Sequence, residues 1–105
     1  MEYNEILKLK TLLDKENIPC ELIKHPLCDG WQLGYPTLQL NYRVCSVIEC
    51  SVSYGNQIDL LEIQGLLTKE EYEQDDVMGC LTAEDVFRRI KQDFKKRVIS
   101  FEWYL

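Results

Sequence analysis

Residues 42–68 read YRVCSVIECSVSYGNQIDLLEIQGLLT, and this stretch contains the longest β-rich run of the chain. Gly55 and Asn56 separate that run from a second apolar run. Both residues favour a tight turn because they adopt left-handed backbone conformations at little cost. We therefore predict a hairpin that forms the middle of a sheet, with its first strand over residues 43–54.

The second arm of this hairpin, residues 58–64, fits two interpretations. Its alternate residues fit a strand, whereas Leu60, Ile63 and Leu67 also share one helical stripe. The run is short and Gly65 interrupts it, and both features favour a strand over a helix. We predict a strand here and keep the helix as the alternative.

Side chains on a strand alternate between its two faces, so parity predicts which face of the 43–54 strand meets the core. One face is nearly all apolar, and we expect it to be buried. Its members are Val44, Ile48, Cys50, Val52 and Tyr54. The other face becomes polar toward its end, as expected for the wet side of an antiparallel sheet. Its members are Cys45, Val47, Glu49, Ser51 and Ser53.

The first third of the chain predicts a helix and then a hairpin. A helix over residues 2–17 follows from a stripe of apolar residues with helical spacing. The stripe consists of Ile6, Leu9, Leu12 and Leu13. Asn17 favours a left-handed end to this helix, and Pro19 prevents its continuation.

The hairpin pairs a strand over residues 20–25 with a strand over residues 31–35, and Asp29-Gly30 supplies the turn. Parity places Trp31, Leu33 and Tyr35 on one face of the second strand, which Pro36 ends.

Two capping boxes predict two helices in the second half of the chain. The sequence TKEE at 68–71 opens a short acidic helix over about 69–74, and TAED at 82–85 opens a longer one over 83–97. The buried stripe of the longer helix is expected to contain Val86, Phe87, Ile90 and Phe94. Acids at its start and bases at its end suit the helix dipole.

Residues 77–81 are predicted to link these two helices, and the alternation of residues 98–105 predicts a terminal strand. The expected order is therefore α-β-β-β-β-α-α-β. We predict an α+β fold in which a small antiparallel sheet of about five strands is covered on one side by the N-terminal helix and by a helix from the C-terminal half.

Length and charge limit the classes of function. The 105 residues are expected to form a single domain, 1–105. The net charge of −6 argues against direct nucleic-acid binding, which needs a basic surface. No apolar run approaches a membrane span, and the start of the chain lacks the pattern of a secretory signal. We expect a cytoplasmic protein of a bacterial cell, and its surface is compatible with a homodimer.

Cysteine and histidine suggest two chemistries, neither with a specific motif. Cys20, His25 and Cys28 lie within nine residues, and Cys45 and Cys50 follow. Thiolates and imidazole suit zinc, but these spacings match no common zinc module. We therefore expect free cysteines, no metal and no cofactor, with a site at the first three residues left as an alternative.

Cysteine-dependent catalysis would need His25 as its base, since the chain contains one histidine. A surface histidine beside Pro26 is the simpler interpretation. The sequence also contains none of the common nucleophile, phosphate-binding or metalloprotease motifs. We expect no enzymatic activity, and a Cys/His-dependent enzyme remains an alternative.

Two stretches, VCSVIECSVSYGNQIDLLEIQGLLT at 44–68 and MGCLTAEDVFRRI at 78–90, resemble small uncharacterised proteins encoded by phages and prophages of Firmicutes-type gut bacteria. Ser53-Tyr54-Gly55 and Leu66-Leu67-Thr68 match the pattern best. The resemblance covers about half of the chain. It implies a phage context and no mechanism.

A small acidic phage protein without catalytic motifs is expected to be an accessory protein that binds a host or defence-system protein. The expected contacts are Tyr54, Asn56, Asp59, Glu70, Glu71 and Glu73. The alternative is a protein that binds or sequesters a small ligand such as a nucleotide signal, because aromatic side chains can stack a nucleobase. The residues of that alternative are Trp31, Tyr35, Tyr42, Arg43 and Tyr54.

Overall fold

Five antiparallel strands run in chain order, β1-β2-β3-β4-β5, across one sheet. The computed structural model describes the backbone of residues 3–102 and the side chains of residues 3–98. The elements are α1 (Glu5–Lys15), β1 (Glu21–Lys24), β2 (Gly30–Tyr35), β3 (Cys45–Cys50), a 3-10 turn (Asn56–Ile58), β4 (Leu61–Gln64), α2 (Lys69–Gln74), β5 (Val77–Leu81) and α3 (Ala83–Glu102). The predicted class, a small α+β fold, is confirmed.

The core lies between one face of the sheet and the helices α1 and α3. Leu33 pairs with Val47, and Val47 pairs with Ile63, so an aliphatic row crosses the three central strands. The side chains that α1 and α3 add to this core are Ile6, Leu9, Leu13, Val86 and Ile90, all fully buried. The predicted cover of one sheet face by these two helices is confirmed.

Local sequence signals predicted several limits of the helices and strands correctly. Asn17 has a φ of 56°, the left-handed conformation predicted for the end of α1. Thr68 and Glu71 form both hydrogen bonds of a capping box, and α2 occupies the predicted residues. The same reciprocal bonds join Thr82 to Asp85 at the start of α3. Strand β4 occupies Leu61–Gln64, so the strand interpretation of the 58–64 segment is confirmed for these four residues, whereas residues 58–60 belong to the preceding connection.

The predicted faces of the third strand are wrong. β3 ends at Cys50, and the face that meets the helices carries Cys45, Val47 and Glu49. Val52 and Tyr54, expected in the core, lie beyond the strand and are exposed. Over the six residues of β3 both faces are similarly apolar, so parity alone could not choose between them. The choice follows from pairing with Leu33 and Ile63, whose side chains face the helices.

The two final predictions are also corrected. Residues 77–81 form β5, an edge strand paired with β4, rather than a link between helices. The pairing is irregular between Leu61 and Ile63, and Cys80 has a left-handed φ of 59°. A short strand interrupted by this irregularity has little periodic signal.

The predicted terminal strand is wrong for residues 98–102, which continue α3, and its remainder lies outside the described residues. The sequence contains no glycine or proline around Arg97 that would end the helix. Extending an existing helix is also far easier than starting a new element. Within residues 3–102, no helix combines the length and the apolar composition needed to span a bilayer.

Candidate functional site

Two connections between strands meet at one end of the sheet, which we call the turn end. They are the β1–β2 turn, residues 25–29, and the β3–β4 loop, residues 51–60. The backbone amide of Ser51 donates to the carbonyl oxygen of Asp29 over 3.1 Å, which joins the two connections. The Asp59 carboxylate accepts from the amides of Asn4 at 2.9 Å and Glu5 at 3.1 Å. The turn end therefore also holds the N-terminus of α1.

Hydrogen bonds within the 51–60 loop fix its shape. The Ser53 hydroxyl bonds both the amide and the carbonyl oxygen of Cys50, each at 3.0 Å. The side-chain amide of Asn56 donates to the carbonyl oxygen of Ser51 at 3.2 Å. Gly55 supplies the left-handed residue of the turn, with a φ of 94°. The loop is thus held in place by its own polar groups.

Large apolar side chains project from this fixed frame into solvent. The exposed fractions are 90% for Leu27, 74% for Val52, 63% for Tyr54 and 67% for Ile58. The first belongs to the β1–β2 turn, and the other three belong to the β3–β4 loop. Scattered apolar residues are normal on protein surfaces, but several on adjoining loops are typical of interaction sites.

A buried carboxyl group lies beneath the turn end. Glu49 is fully buried, and its Oε1 accepts a hydrogen bond from the Ile6 amide over 3.1 Å. Burial, together with a hydrogen bond to Asp59, raises the pKa of Glu49 to about 8. Burial also acts to raise the pKa of Asp59, but hydrogen bonds from Glu49 and from the α1 amides lower it overall. Near neutral pH these opposite shifts favour a protonated Glu49 beside an ionised Asp59.

His25, Cys28 and Cys50 form a second cluster at the turn end. One candidate ligand atom from each residue lies within 4.8 Å of the other two. The two sulfur atoms are 2.7 Å apart, and the Leu27 amide donates to Nδ1 of His25 over 3.2 Å. Burial and the neighbouring Cys50 raise the pKa of the Cys28 thiol to about 11. A thiol that keeps its proton is a weak nucleophile, so this shift disfavours Cys28 itself in such a role.

The cluster differs from the group considered from sequence. Cys50 takes the place of Cys20, and Cys45 is buried near the opposite end of β3. The register of the β2–β3 pair is the signal that could have predicted this cluster. Gly30 pairs with Cys50, so the turn before Gly30, which contains Cys28, lies beside Cys50.

The six predicted interaction residues do not form one surface. Tyr54, Asn56 and Asp59 lie at the turn end, whereas the three glutamates lie on α2, beyond the opposite end of the sheet. Asn56 and Asp59 use their side chains for internal hydrogen bonds. Tyr54 is the member of this set that matches the exposed apolar surface.

Three acidic residues of the segment 70–85 are paired with bases. Glu71 accepts two hydrogen bonds from the Arg89 guanidinium, at 2.8 and 2.7 Å, which lower its pKa to about 2. Glu84 pairs with Lys8 at 2.6 Å, and Asp85 pairs with Arg88 at 2.5 Å. The pair of Glu71 with Arg89 therefore joins α2 to α3, whereas Glu70 and Glu73 are exposed.

The five residues of the ligand-binding alternative are also separated. Tyr35 is buried, and its hydroxyl donates to Asp93 over 2.7 Å. Trp31 packs against the core, with the Lys24 ammonium 5.6 Å from its ring centre. Tyr42 is exposed and Arg43 is half-buried on the β2–β3 connection, at the end of the sheet opposite Tyr54.

An open groove of about 720 Å³ lies between α3 and the β4–α2 connection, and none of these five residues lines it. Leu66, Leu67 and Met78 contribute its apolar surface. Among its cations, Arg88 and Arg89 are paired with carboxylates, which reduces their availability to an anionic ligand, and Lys96 also lines the groove.

Comparison with protein-family models, curated protein sequences and solved structures finds no match to this chain. The resemblance to phage proteins therefore stays a prediction.

Proposed function

We propose that this protein acts by binding another protein through the turn end of its sheet. The observation that supports the proposal is the group of exposed apolar side chains on the two joined connections, Leu27, Val52, Tyr54 and Ile58. In the phage context that the resemblance implies, the partner is a host or defence-system protein.

The fixed conformation of the 51–60 loop favours binding. A loop that is ordered before it meets its partner loses less conformational entropy on docking. Hydrogen bonds of Ser53 and Asn56 already hold this loop, and its exposed Tyr54 is of a residue type enriched at the centres of interfaces.

Charge favours a basic partner. The net charge of −6 speeds association with a positively charged surface, and mutual repulsion disfavours contact between two copies of the chain. The apolar side chains would then supply the affinity after the first encounter.

A matched pair of double variants tests the proposal. Val52→Ser with Ile58→Ser removes apolar surface from the turn end, and Leu40→Ser with Tyr42→Ser removes similarly exposed side chains from the opposite end. Bacterial host lysate is passed over each immobilised protein, and captured proteins are quantified by mass spectrometry. The affinity of the purified partner is then measured.

We expect the purified partner to bind the wild type and the opposite-end variant with equal affinity. It should bind the turn-end variant at least about 30-fold more weakly, a loss of about 2 kcal/mol in binding free energy. Equal binding by both variants would contradict the proposal, and so would the absence of a stoichiometric partner. Circular dichroism of each variant checks that the fold is intact.

A further inference from the structure

The sequence separates His25, Cys28 and Cys50, and the fold brings them together. His25 follows the last residue of β1, and its amide donates to the Gly30 carbonyl oxygen over 3.0 Å, which closes the β1–β2 turn. Cys28 lies within that turn, and Cys50 is the last residue of β3.

Gly30 makes this approach possible. It pairs with Cys50 and has a φ of 116°. A Cβ atom at this position would lie 2.1 Å from the Glu49 carbonyl oxygen and 2.8 Å from Cβ of Cys50. A larger residue would therefore push the turn away from β3 and separate the two sulfur atoms.

We propose that His25, Cys28 and Cys50 form a site for a thiophilic divalent cation of the zinc type, with three protein ligands and one coordination position open. Two sulfurs and one imidazole nitrogen are the donors that zinc prefers in proteins. Cys50 is buried, whereas His25 and Cys28 are half-buried. Cys50 would therefore hold the metal from the protein interior, and solvent reaches the site from the side of His25 and Cys28.

The distances require a small adjustment. Zinc–sulfur bonds of about 2.3 Å and zinc–nitrogen bonds of about 2.0 Å in a tetrahedron separate the ligand atoms by roughly 3.4–3.8 Å. The ligand atoms already lie within 4.8 Å of one another. The sulfurs, 2.7 Å apart, have to separate by about 1 Å, which rotation of the Cys28 side chain on its turn supplies.

Metal binding at this cluster is expected to release protons to solvent, because ligation deprotonates cysteine thiols.

Coordination by His25 breaks the hydrogen bond that the Leu27 amide donates to Nδ1. If the metal binds Nδ1, that atom can no longer accept the bond. If the metal binds Nε2, the proton of the neutral ring lies on Nδ1, which then cannot accept either. Leu27 is 90% exposed, so water replaces that hydrogen bond.

Cobalt(II) and zinc(II) alone are suitable probes. The full chain is reduced, freed of metal with a chelator and titrated with cobalt(II) under exclusion of oxygen. We expect one equivalent to produce thiolate-to-cobalt charge transfer and the intense visible bands of tetrahedral cobalt. Zinc(II) should displace cobalt, and zinc binding should release protons in a calorimetric titration repeated in buffers of different ionisation enthalpy.

The variants Cys28→Ser and His25→Gln test the ligands, and both positions are only half-buried. We expect each substitution to weaken zinc binding by at least about tenfold, and the serine variant to lose charge-transfer intensity. The control is Cys80→Ser, because Cys80 is an exposed cysteine outside the cluster. Cobalt spectra and zinc affinity should not change in this control.

Three results would overturn the proposal. The first is a cobalt spectrum without charge transfer. The second is an unchanged zinc affinity in a folded Cys28→Ser protein. The third is a reduced protein that takes up no metal and that forms a Cys28–Cys50 disulfide in air. Molecular oxygen accepts the two hydrogens in that oxidation, and mass spectrometry detects their loss from the protein.

Discussion

Glu49 shows how far the fold changes the chemistry of one residue. From sequence it belongs to a solvent-facing strand surface, but it is fully buried below the N-terminus of α1. Its pKa rises from an ordinary value of 4.5 to about 8. Between these two values the folded protein holds a proton that the unfolded chain releases. Stability must therefore fall as pH rises through this window, and level off above it.

The substitution Glu49→Gln tests this linkage. Glutamine keeps the acceptor for the Ile6 amide and, like a protonated carboxyl group, can donate to Asp59. Between about pH 4.5 and pH 8, the free energy of unfolding of the wild type should decline more steeply than that of the variant. The difference in slope should reach up to about 1.4 kcal/mol per pH unit.

Urea denaturation across this pH range measures the difference. Glu73→Gln, at an exposed position, serves as the control and should keep the wild-type profile. A Glu49→Gln profile parallel to that of the wild type would mean that the carboxyl group is ionised in the folded protein.

Among the elements, α2 explains why an acidic segment need not be a binding surface. Glu71 completes the capping box with Thr68 and also holds Arg89, which donates to the Leu66 carbonyl oxygen at 2.9 Å. Glu70 and Glu73 belong to the same helix but are exposed. Three glutamates that look equivalent in sequence therefore have different roles.

We predict that Glu71→Gln lowers the free energy of unfolding by about 1–2 kcal/mol near neutral pH, because it weakens the cap and leaves Arg89 without a charged partner. Glu70→Gln and Glu73→Gln should each change it by less than about 0.5 kcal/mol. Since the pKa of Glu71 is lowered to about 2, its contribution is present above its ordinary pKa of 4.5 and is lost as pH falls toward 2. Equal effects of all three substitutions in urea denaturation would contradict the structure.

The face of β3 is tested by the same truncation at two valines. Val47 is fully buried on β3, a strand that packs against α1, whereas Val52 is 74% exposed. Val47→Ala should cost about 2 kcal/mol of stability through lost burial and a residual cavity, and Val52→Ala should cost less than about 0.5 kcal/mol. The reverse order in denaturation midpoints would support the face assignment that was predicted from the sequence.

At the scale of the whole molecule, side chains tie α3 to both α1 and the sheet. Lys8 pairs with Glu84, and Lys91 pairs with Glu16 at 2.9 Å, so the two helices lie side by side and run in the same direction. These exposed pairs add little stability individually. The more specific contact is the Tyr35 hydroxyl of β2 with Asp93 of α3.

A double-mutant cycle on Tyr35→Phe and Asp93→Asn tests this docking of α3 across the sheet. We expect a coupling energy of about 1 kcal/mol, because the hydrogen bond is partly buried and its acceptor is charged. A second cycle with Tyr42→Phe, on the exposed β2–β3 connection, should give no coupling with Asp93→Asn. Absence of coupling in the first cycle would mean that the part of α3 around Asp93 does not pack beside Tyr35.

The sequence by itself determined the features that depend on near neighbours. The stripe of α1, the left-handed Asn17 and both capping boxes were predictable because each rests on residues a few positions apart. The turn at Gly55-Asn56 lies within the 51–60 connection and does not close the tight hairpin that was predicted. The exposed Tyr54 was selected for its place beside that turn. These signals were sufficient for the fold class and for one part of the candidate surface.

Tertiary structure decided what depends on distant partners. The buried face of β3 was set by Leu33 and Ile63, and β5 became a strand through its pairing with β4. The burial of Glu49 and the meeting of His25, Cys28 and Cys50 follow from the register of three strands and from the place where α1 begins. Such features have no local signature, because their free energy comes from contacts between segments that the linear sequence keeps apart.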